Sequence, residues 1–416
     1  MSATGMALND ALVCRIETLA YGGDGLARVE GRVVFVPGTL AGETVRVRVV
    51  QVKPNFARAA LCDVVEPSPL RIAPCCRVAD GDTGELCQVP GCVYDHLDYA
   101  AELCAKQQQL EGFLRRLRGT SPLAFLPPFA APSPLHYRNK MVLHAARTPR
   151  GLRLGYRREP SHSILDLPAC PLACDALNAA LGEFRQSRPF DALPPEADIT
   201  FRHTPHDGAV CWVGRAAPLT PCADLLTEAS PAGPLRVPRD GFYQVNPAVG
   251  DALVRTVAEW FGESSEWREL LDLYCGVGVF GFACMAAGGT RLAGIESGRD
   301  AVSAARLNAA SLGVPAAFHC RALGHSNPRF SDVLGDPSRT TAIVDPPREG
   351  MAADAVRALA DSGIARIFYV SCDPATLARD LATLAANSRY RLVRARLFDM
   401  FPRTAHFETL VELCQK

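Results

Sequence analysis

The chain has 416 residues, of which 48% are hydrophobic and 21% are charged, and its 44 basic residues are balanced by 44 acidic ones. This is the composition of an ordinary globular protein, which excludes a collagen-like or highly charged disordered chain. No apolar run approaches the ~20 residues that a membrane-spanning helix requires, so we expect no membrane partner. Because the charges cancel, any nucleic-acid site has to be a local basic patch.

The first residues of the chain and its cysteine content indicate the cellular compartment in which we expect the protein. The first residues lack the basic stretch and apolar core of a secretory signal. The sixteen cysteines fit a reducing compartment, where a cysteine is more often a ligand, a catalyst or part of a core than half of a disulfide. We therefore expect a cytoplasmic protein, and nothing in the sequence indicates an obligate protein partner.

Residues 1–67 are predicted to form a small β-barrel. Glycine-rich turn clusters separate several β-rich runs, which begin at Val13, Arg32, Glu43 and Ala57. Short strands in so small a region favour a barrel over a sandwich.

Residues 68–235 are predicted to form a central α+β domain. A cysteine-bearing loop comes first, and apolar residues at helical spacing then predict a helix over about 98–118. Packing of this helix on the C-terminal domain is one possibility. Beyond it, prolines and short strands alternate up to about residue 235.

Residues 236–416 alternate strands and helices, which is typical of a Rossmann-like α/β domain with a doubly wound parallel sheet. A buried strand ends at Tyr274, and the turn after it contains Gly276 and Gly278. Such a turn allows a ligand to bind near the start of the helix, although a turn of this kind can also simply connect a strand to a helix. The next strand ends at Glu296, whose carboxylate can accept hydrogen bonds from ribose hydroxyls. Nothing is placed for a pyrophosphate, so the loop favours a nucleoside cofactor with a sulfonium, such as S-adenosylmethionine.

Three apolar runs further along each adjoin a reactive or acidic side chain, namely Asp345, Cys372 and Glu408. If these runs are parallel strands, their carboxyl ends bring the three side chains to one cleft. A thiol beside a carboxylate supplies a nucleophile and a base, which suggests covalent methyl transfer to a pyrimidine ring.

The motifs around these residues resemble those of the RNA uracil-5-methyltransferase family, whose members are S-adenosylmethionine-dependent. The resemblance covers residues 236–416 and is carried, in family order, by Gly241-Phe-Tyr-Gln-Val-Asn-Pro, Leu271-Asp-Leu-Tyr-Cys-Gly-Val-Gly, Asp345-Pro-Pro-Arg-Glu-Gly, Ser371-Cys-Asp-Pro-Ala-Thr-Leu-Ala-Arg-Asp and Phe398-Asp-Met-Phe-Pro-Arg-Thr-Ala-His-Phe-Glu. Residues 8–66 are similar to the TRAM-type RNA-binding barrel that many members carry in front.

The resemblance implies a role for each site residue. Cys372 would add to carbon 6 of uracil and so activate carbon 5, and Glu408 would then remove the proton on carbon 5. Asp345 would hold the uracil edge and border the cofactor. The other cofactor-binding residues would be Gln244, Tyr274, Gly276 and Glu296.

Four positions depart from the family pattern. Asp373 follows the nucleophile where many members have asparagine, and Arg403 replaces the usual glutamine or histidine. Val279 and Ala322 stand where polar contacts to the cofactor are often found. These last two positions put the cofactor affinity in doubt, whereas the nucleophile and the base are both present.

A group of cysteines precedes and follows the predicted helix. By resemblance to the iron–sulfur members of the family, Cys76, Cys87, Cys92 and Cys170 would hold a 4Fe-4S cluster, with Cys75 as the alternative to Cys76. Their spacing differs from the usual one, and a zinc site with the same ligands or no metal at all remain open.

Arg138 and Lys140 match a family segment near the substrate, so both are candidate RNA phosphate contacts; the alternative is that they only add surface charge. The predicted function is methylation of carbon 5 of a specific uridine in structured RNA, with 23S ribosomal RNA favoured by family habit. The alternatives are a transfer RNA uridine-5 methyltransferase and a non-catalytic iron–sulfur RNA-binding protein on the same fold.

Overall fold

The computed structural model describes residues 6–80, 84–117, 123–149, 151–158, 161–187, 190, 193–194, 196–214, 219, 222–324, 330–386 and 389–416. Their helices are α1 Tyr99–Leu114, α2 Asp175–Arg185, α3 Pro247–Gly262, α4 Val279–Ala286, α5 Arg299–Leu312, α6 Ala353–Asp361 and α7 Pro374–Ala385. In these residues no helix is both long enough and apolar enough to cross a membrane.

The N-terminal strands form a closed sheet, as predicted. They are β1 Ala11–Arg15, β2 Thr18–Leu19, β3 Gly25–Val29, β4 Arg32–Val36, β5 Thr44–Val52 and β6 Phe56–Glu66, in the order β1-β5-β6-β4-β3-β2. The two edge strands are consecutive in the chain. The Ile16 amide donates to the Glu43 carbonyl (2.9 Å) on one side, and the Glu17 amide donates to the Leu26 carbonyl (2.8 Å) on the other. The sheet thereby closes around buried valines and alanines. The short β2 and its partner β3 were missed from the sequence.

The central region begins with a hairpin formed by β7 Arg77–Ala79 and β8 Leu86–Gln88. The cysteine-bearing loop includes this hairpin and leads into α1. The predicted helix is confirmed: it begins after Asp98, whose carboxylate accepts from the amides of Ala100 and Ala101, and it ends at Leu114. Arg118, at the predicted end, lies outside the described residues. Leu110 and Leu114 pack into the core of the C-terminal sheet.

An antiparallel sheet follows, with strand order β12-β11-β10-β13-β14. Its strands are β10 Lys140–Thr148, β11 Gly151–Arg157, β12 Ile164–Asp166, β13 Glu196–Thr204 and β14 Gly208–Val213, and β15 Leu225–Glu228 pairs with β16 Leu235–Pro238 beyond it. The division of the chain at residues 67 and 235 stays a prediction.

The C-terminal sheet has the order β19-β18-β17-β20-β21-β23-β22-β9. Its strands are β9 Ala124–Phe125, β17 Glu269–Leu273, β18 Arg291–Glu296, β19 Ala316–Cys320, β20 Thr340–Val344, β21 Arg366–Ser371, β22 Tyr390–Phe398 and β23 Glu408–Gln415. Helices α3, α4 and α5 cover one face, and α1, α6 and α7 cover the other. The class I methyltransferase-type α/β fold expected for this region is therefore confirmed.

The expectation of an all-parallel sheet was wrong at one edge. Strand β23 runs antiparallel between β21 and β22. Only residues 399–407 separate β22 from β23, which is too short for the crossover that a parallel pair requires. Glu408 is therefore the first residue of its strand rather than the residue after its end.

The strand order reverses between β17 and β20, where ligands bind in open α/β sheets. Tyr274 and Asp345 follow these two strands directly, and Leu273 pairs with Val344 across them. The fold thus places the predicted cofactor loop beside the predicted uracil contact.

Candidate active site

A tight turn leads from β17 into α4. Tyr274, Gly276 and Gly278 all have positive φ angles of 62°, 53° and 92°. A Cβ atom on Gly278 would lie 2.6 Å from the Phe282 ring, so the turn closes only with glycine there. This closure leaves open space above the carboxyl ends of β17 and β20.

One cavity at this edge brings together all five predicted cofactor residues: Gln244, Tyr274, Gly276, Glu296 and Asp345. Val279, one of the departures from the family pattern, also lines it, whereas Ala322 is not among its described lining residues. The exposed ring of Phe242 and the Tyr243 side chain form part of its wall and were not predicted from the sequence.

The polar groups of this cavity suit a nucleoside. The Glu296 carboxylate accepts from the amides of Gly276 (3.2 Å) and Gly298 (2.7 Å), which hold it at the cavity wall. Within the described part of the chain, Gln244 Oε1 is buried and has no hydrogen-bond partner. An unsatisfied buried polar atom costs free energy, so a ligand that donates a hydrogen bond to this oxygen would be stabilised there.

The predicted nucleophile and base are adjacent across two strands. Ser371, the last residue of β21, pairs with Thr409 of β23, so Cys372 and Glu408 meet at the same end of this pair. Asp345 lies close enough to both to repel their charged forms. The structure thus gathers the thiol and the two carboxylates.

Burial favours the protonated forms of these three groups. It raises the pKa of the Cys372 thiol to about 12, and Glu408 and Asp345 add to the rise. Burial also raises the pKa of Asp345 to about 7 and that of Glu408 well above its usual range, with Asp345 contributing to the latter. A carboxylate with a raised pKa is a stronger base once it has lost its proton.

Arg348 was quoted in a motif but given no role. Its guanidinium lies within hydrogen-bonding reach of the Cys372 thiol and lowers the pKa values of both Cys372 and Glu408. It is therefore placed to stabilise a thiolate. Its position three residues after Asp345, past two prolines, was the signal that could have found it.

Tyr21, from the barrel, also reaches the site and was missed. Its hydroxyl lies 3.5 Å from Asp373 Oδ2, and its ring meets that of Phe407 edge-on at 6.1 Å. No sequence signal marks Tyr21, because 352 positions separate it from Asp373.

The predicted cluster ligands lie in one region. Cys76, Cys92 and Cys170 are buried in the same core, with Cys87 and Cys75 at its margin. The Cys76 thiol interacts with those of Cys75, Cys92 and Cys170. In the described ranges, however, no group of three or more His, Cys, Asp or Glu side chains is arranged to hold a metal ion. The cysteines converge without adopting ligand geometry.

The two predicted RNA contacts are half-buried rather than fully solvated. Lys140 Nζ donates to the Gly241 carbonyl (3.4 Å), and burial together with Arg202 lowers the pKa of Lys140 to about 8. Arg138 lies close to Tyr137, Tyr156 and Cys170. Contact of either residue with a phosphate stays a prediction.

Comparison with known sequences gives consistent matches along the chain. A family described as tRNA (Uracil-5-)-methyltransferase matches residues 234–416, and the TRAM domain family matches residues 14–62. The chain is 34% identical to the 23S rRNA (uracil(1939)-C(5))-methyltransferase RlmD of Acidithiobacillus ferrooxidans, over 95% of each chain. It is 31% identical to an uncharacterized RNA methyltransferase of Thermosynechococcus vestitus, over 96% of this chain and 97% of that protein.

Among solved structures, the tRNA (uracil-54, C5)-methyltransferase of Pyrococcus abyssi, in complex with S-adenosyl-L-homocysteine, superposes with a TM-score of 0.73. The match covers 96% of this chain and 99% of that one at 24% sequence identity. Similarity at this level of identity establishes a shared fold.

Asp272, behind the cofactor loop, should make stability depend on pH. Burial raises its pKa from 3.8 to about 8. Between these values the folded protein holds a proton that the unfolded chain has lost. The free energy of unfolding should therefore fall as pH rises, by up to about 1.4 kcal/mol per pH unit. Asp272→Asn removes the titrating group, so this decline should be shallower in urea unfolding measured from about pH 5 to about pH 8.

Asp354→Asn, at an exposed position, controls for the change in net charge. Parallel stability curves for wild type and Asp272→Asn would contradict the assignment of this pH dependence to Asp272.

Proposed function

The chain belongs to the RNA uracil-5-methyltransferase family, and on this premise we propose that it methylates carbon 5 of a specific uridine in 23S ribosomal RNA. The RlmD enzyme of Acidithiobacillus ferrooxidans, which spans nearly the whole chain, is named for that reaction. The observation that carries the proposal is the adjacency of Cys372 and Glu408, with Asp345 shared between them and the cofactor cavity.

The residues of the cavity fit S-adenosylmethionine. Gln244 offers a buried acceptor without a partner among the described residues, and the Glu296 side chain accepts from the amide of Gly276. These three, with Tyr274 and Asp345, would bind the cofactor, which supplies an electrophilic methyl group when bound. Asp345 lines the cavity and also lies close to the thiol, so it would orient both reactants.

Carbon 5 of uracil is a weak nucleophile and has to be activated. The Cys372 thiol would give its proton to solvent and add as a thiolate to carbon 6, and the electron pair displaced onto carbon 5 would then attack the methyl group. Glu408 would take the proton from carbon 5, after which the thiolate is expelled and the ring double bond re-forms. Arg348 would stabilise the thiolate at the start and the end of this sequence.

The cysteines Cys76, Cys87, Cys92 and Cys170 would hold a 4Fe-4S cluster, with Cys75 in reserve. Three of these thiols already share a buried core, and four thiolates satisfy the coordination needs of such a cluster. Cys87, which would complete the set, lies on the β7–β8 hairpin at the margin of that core. Zinc bound by the same thiols is the competing metal.

Arg138 and Lys140 would contact the RNA backbone beside the cavity, and the activity would be cytoplasmic. The target base has to leave any stacked helix before it can reach Cys372. The transfer RNA enzyme of Pyrococcus abyssi shares the fold, which keeps a transfer RNA uridine as the alternative substrate. A non-catalytic iron–sulfur RNA-binding protein would not need the thiol–carboxylate pair.

Substrate choice is tested with anaerobically purified protein, S-adenosylmethionine and separate pools of unmodified ribosomal and transfer RNA. We expect 5-methyluridine in the ribosomal pool after digestion and mass spectrometry of the nucleosides. If 5-methyluridine forms in the transfer RNA pool alone, the substrate is transfer RNA rather than ribosomal RNA. No methylated nucleoside in either pool, although the cofactor binds, would refute the activity.

The covalent mechanism predicts different outcomes for its two central residues. Cys372→Ala should abolish turnover while S-adenosylmethionine still binds, because no thiolate is available to activate carbon 5. Glu408→Gln should allow methyl transfer but block proton removal, so a protein–RNA adduct that survives a denaturing gel should accumulate. Near-normal turnover by Cys372→Ala, or full activity without adduct for Glu408→Gln, would contradict these roles.

The cluster is tested by its metal content. After anaerobic reconstitution with iron and sulfide, wild type should hold about four iron atoms per chain. Cys76→Ser, Cys92→Ser and Cys170→Ser should each lose most of the iron. Cys104→Ser, an exposed cysteine on α1, serves as the control and should retain the iron. Zinc as the sole metal in protein purified anaerobically, without iron uptake, would replace the cluster.

A further inference from the structure

The segment between β22 and β23, residues 399–407, leads directly into Glu408. All of it is described, and it contains no helix or strand. No regular ladder of backbone hydrogen bonds fixes its path, so isolated backbone bonds, such as that from the Asp399 amide to the Phe129 carbonyl (2.9 Å), and side-chain contacts hold it. The position of the proposed base depends in part on what holds this segment.

Four buried charged side chains connect the segment to α1. Lys106 donates to Glu102 (2.8 Å) and to Asp399 (2.8 Å), and the Arg403 amide donates to Glu102 Oε1 (2.7 Å). Arg403 Nη1 lies 3.3 Å from Glu102 Oε2. We refer to Glu102, Lys106, Asp399 and Arg403 as the charge quartet. The side chains of Glu102, Lys106 and Asp399 are inaccessible, and that of Arg403 is 6% exposed.

The quartet contains two cations and two carboxylates, so its formal charge is zero. Removal of one member would leave an uncompensated charge in the interior, which is strongly destabilising for buried ion pairs. Arg403 is the member closest in sequence to Glu408, and both its backbone and its side chain form hydrogen bonds with a third segment.

That third segment is the loop that follows Cys92. Arg403 Nη1 donates to the carbonyls of Leu97 (2.5 Å) and Tyr94 (3.4 Å), and the Tyr94 amide donates back to the Arg403 carbonyl (3.1 Å). Arg403 has a φ of 66°, in the left-handed region that costs a non-glycine residue about 1–2 kcal/mol. Its many contacts maintain this conformation against that cost.

We propose that Arg403 is a positioning residue for the base: it joins the segment carrying Glu408 to α1 and to the loop after Cys92. The inference rests on the proposed function and deepens it. Cys372 and Asp345 follow the central strands β21 and β20, whereas the hydrogen bonds of the quartet described above run to α1, to residues 399–403 and to the loop after Cys92. Loss of Arg403 should therefore affect proton removal by Glu408 more than addition of the thiolate.

Arg403→Met tests this separation because it keeps a side chain of similar length and removes the charge and the hydrogen-bond donors. We expect proton removal to slow about tenfold or more, since a small misplacement of a general base has effects of this size. The methylated adduct should then accumulate on denaturing gels during turnover. Adduct formation and the Kd for S-adenosylmethionine should change less than about twofold.

Two further variants separate positioning from stability. Arg394→Gln removes a different arginine of the same hairpin, one that pairs with Glu412 (2.6 Å), and it should lower stability without adduct accumulation. Arg403→Lys keeps the charge and should recover part of the lost rate of proton removal, which also covers the case in which Arg403→Met does not fold.

Equal slowing of both steps in the Arg403 variants, with no more adduct than Arg394→Gln, would overturn the positioning role. Wild-type turnover is measured first, so that failure of the proposed function can be distinguished from failure of this inference. Failure of the proposed function appears as wild type without 5-methyluridine, and failure of this inference appears as an active wild type without an adduct in either Arg403 variant.

Discussion

The catalytic edge of the sheet depends on carboxyl groups that are buried with too few cations to balance them. Asp272 and Glu408 are 1% and 5% exposed, and Asp345 interacts with both of them and with the thiol. Arg348 is the cation that the Cys372 environment provides. Burying an ionised carboxylate is costly, so these groups take up protons instead, and their pKa values rise. The strand ends hold them in place despite this cost.

The charge quartet follows the opposite rule. Its two carboxylates and two cations balance, and its hydrogen bonds join α1 to the segment before Glu408. Near the reacting atoms, the excess of carboxyl groups over cations raises the pKa values of Glu408 and Cys372, so both side chains hold protons that they can transfer. Farther away, balance fixes a segment that has no regular structure of its own. The reactive edge can carry unpaired groups because the segments around it are held by paired ones.

The sequence was informative where the signal is local. The cofactor turn, α1 with its Asp98 cap and the residues after β20 and β21 follow from short patterns of glycine, apolar and acidic residues. The sequence was misleading at β23, because an apolar run does not show its direction. Length does: nine residues, 399–407, cannot hold a crossover helix, so that pairing was recoverable in principle. The bond between Lys106 and Asp399 joins positions 293 residues apart, and no local pattern predicts it.

The barrel shows the same limit and explains how a distant module can bear on the chemistry. Its turn at Tyr21 packs edge-on against Phe113 of α1 and against Phe407, the residue before Glu408. A Cβ atom on Gly23 would lie 2.7 Å from Val93, so the turn fits closely against the loop after Cys92. The barrel is therefore packed directly against α1, the loop after Cys92 and the start of β23. The packing therefore fixes where the barrel lies relative to Cys372, so an RNA bound to the barrel would present only part of its length to the thiol.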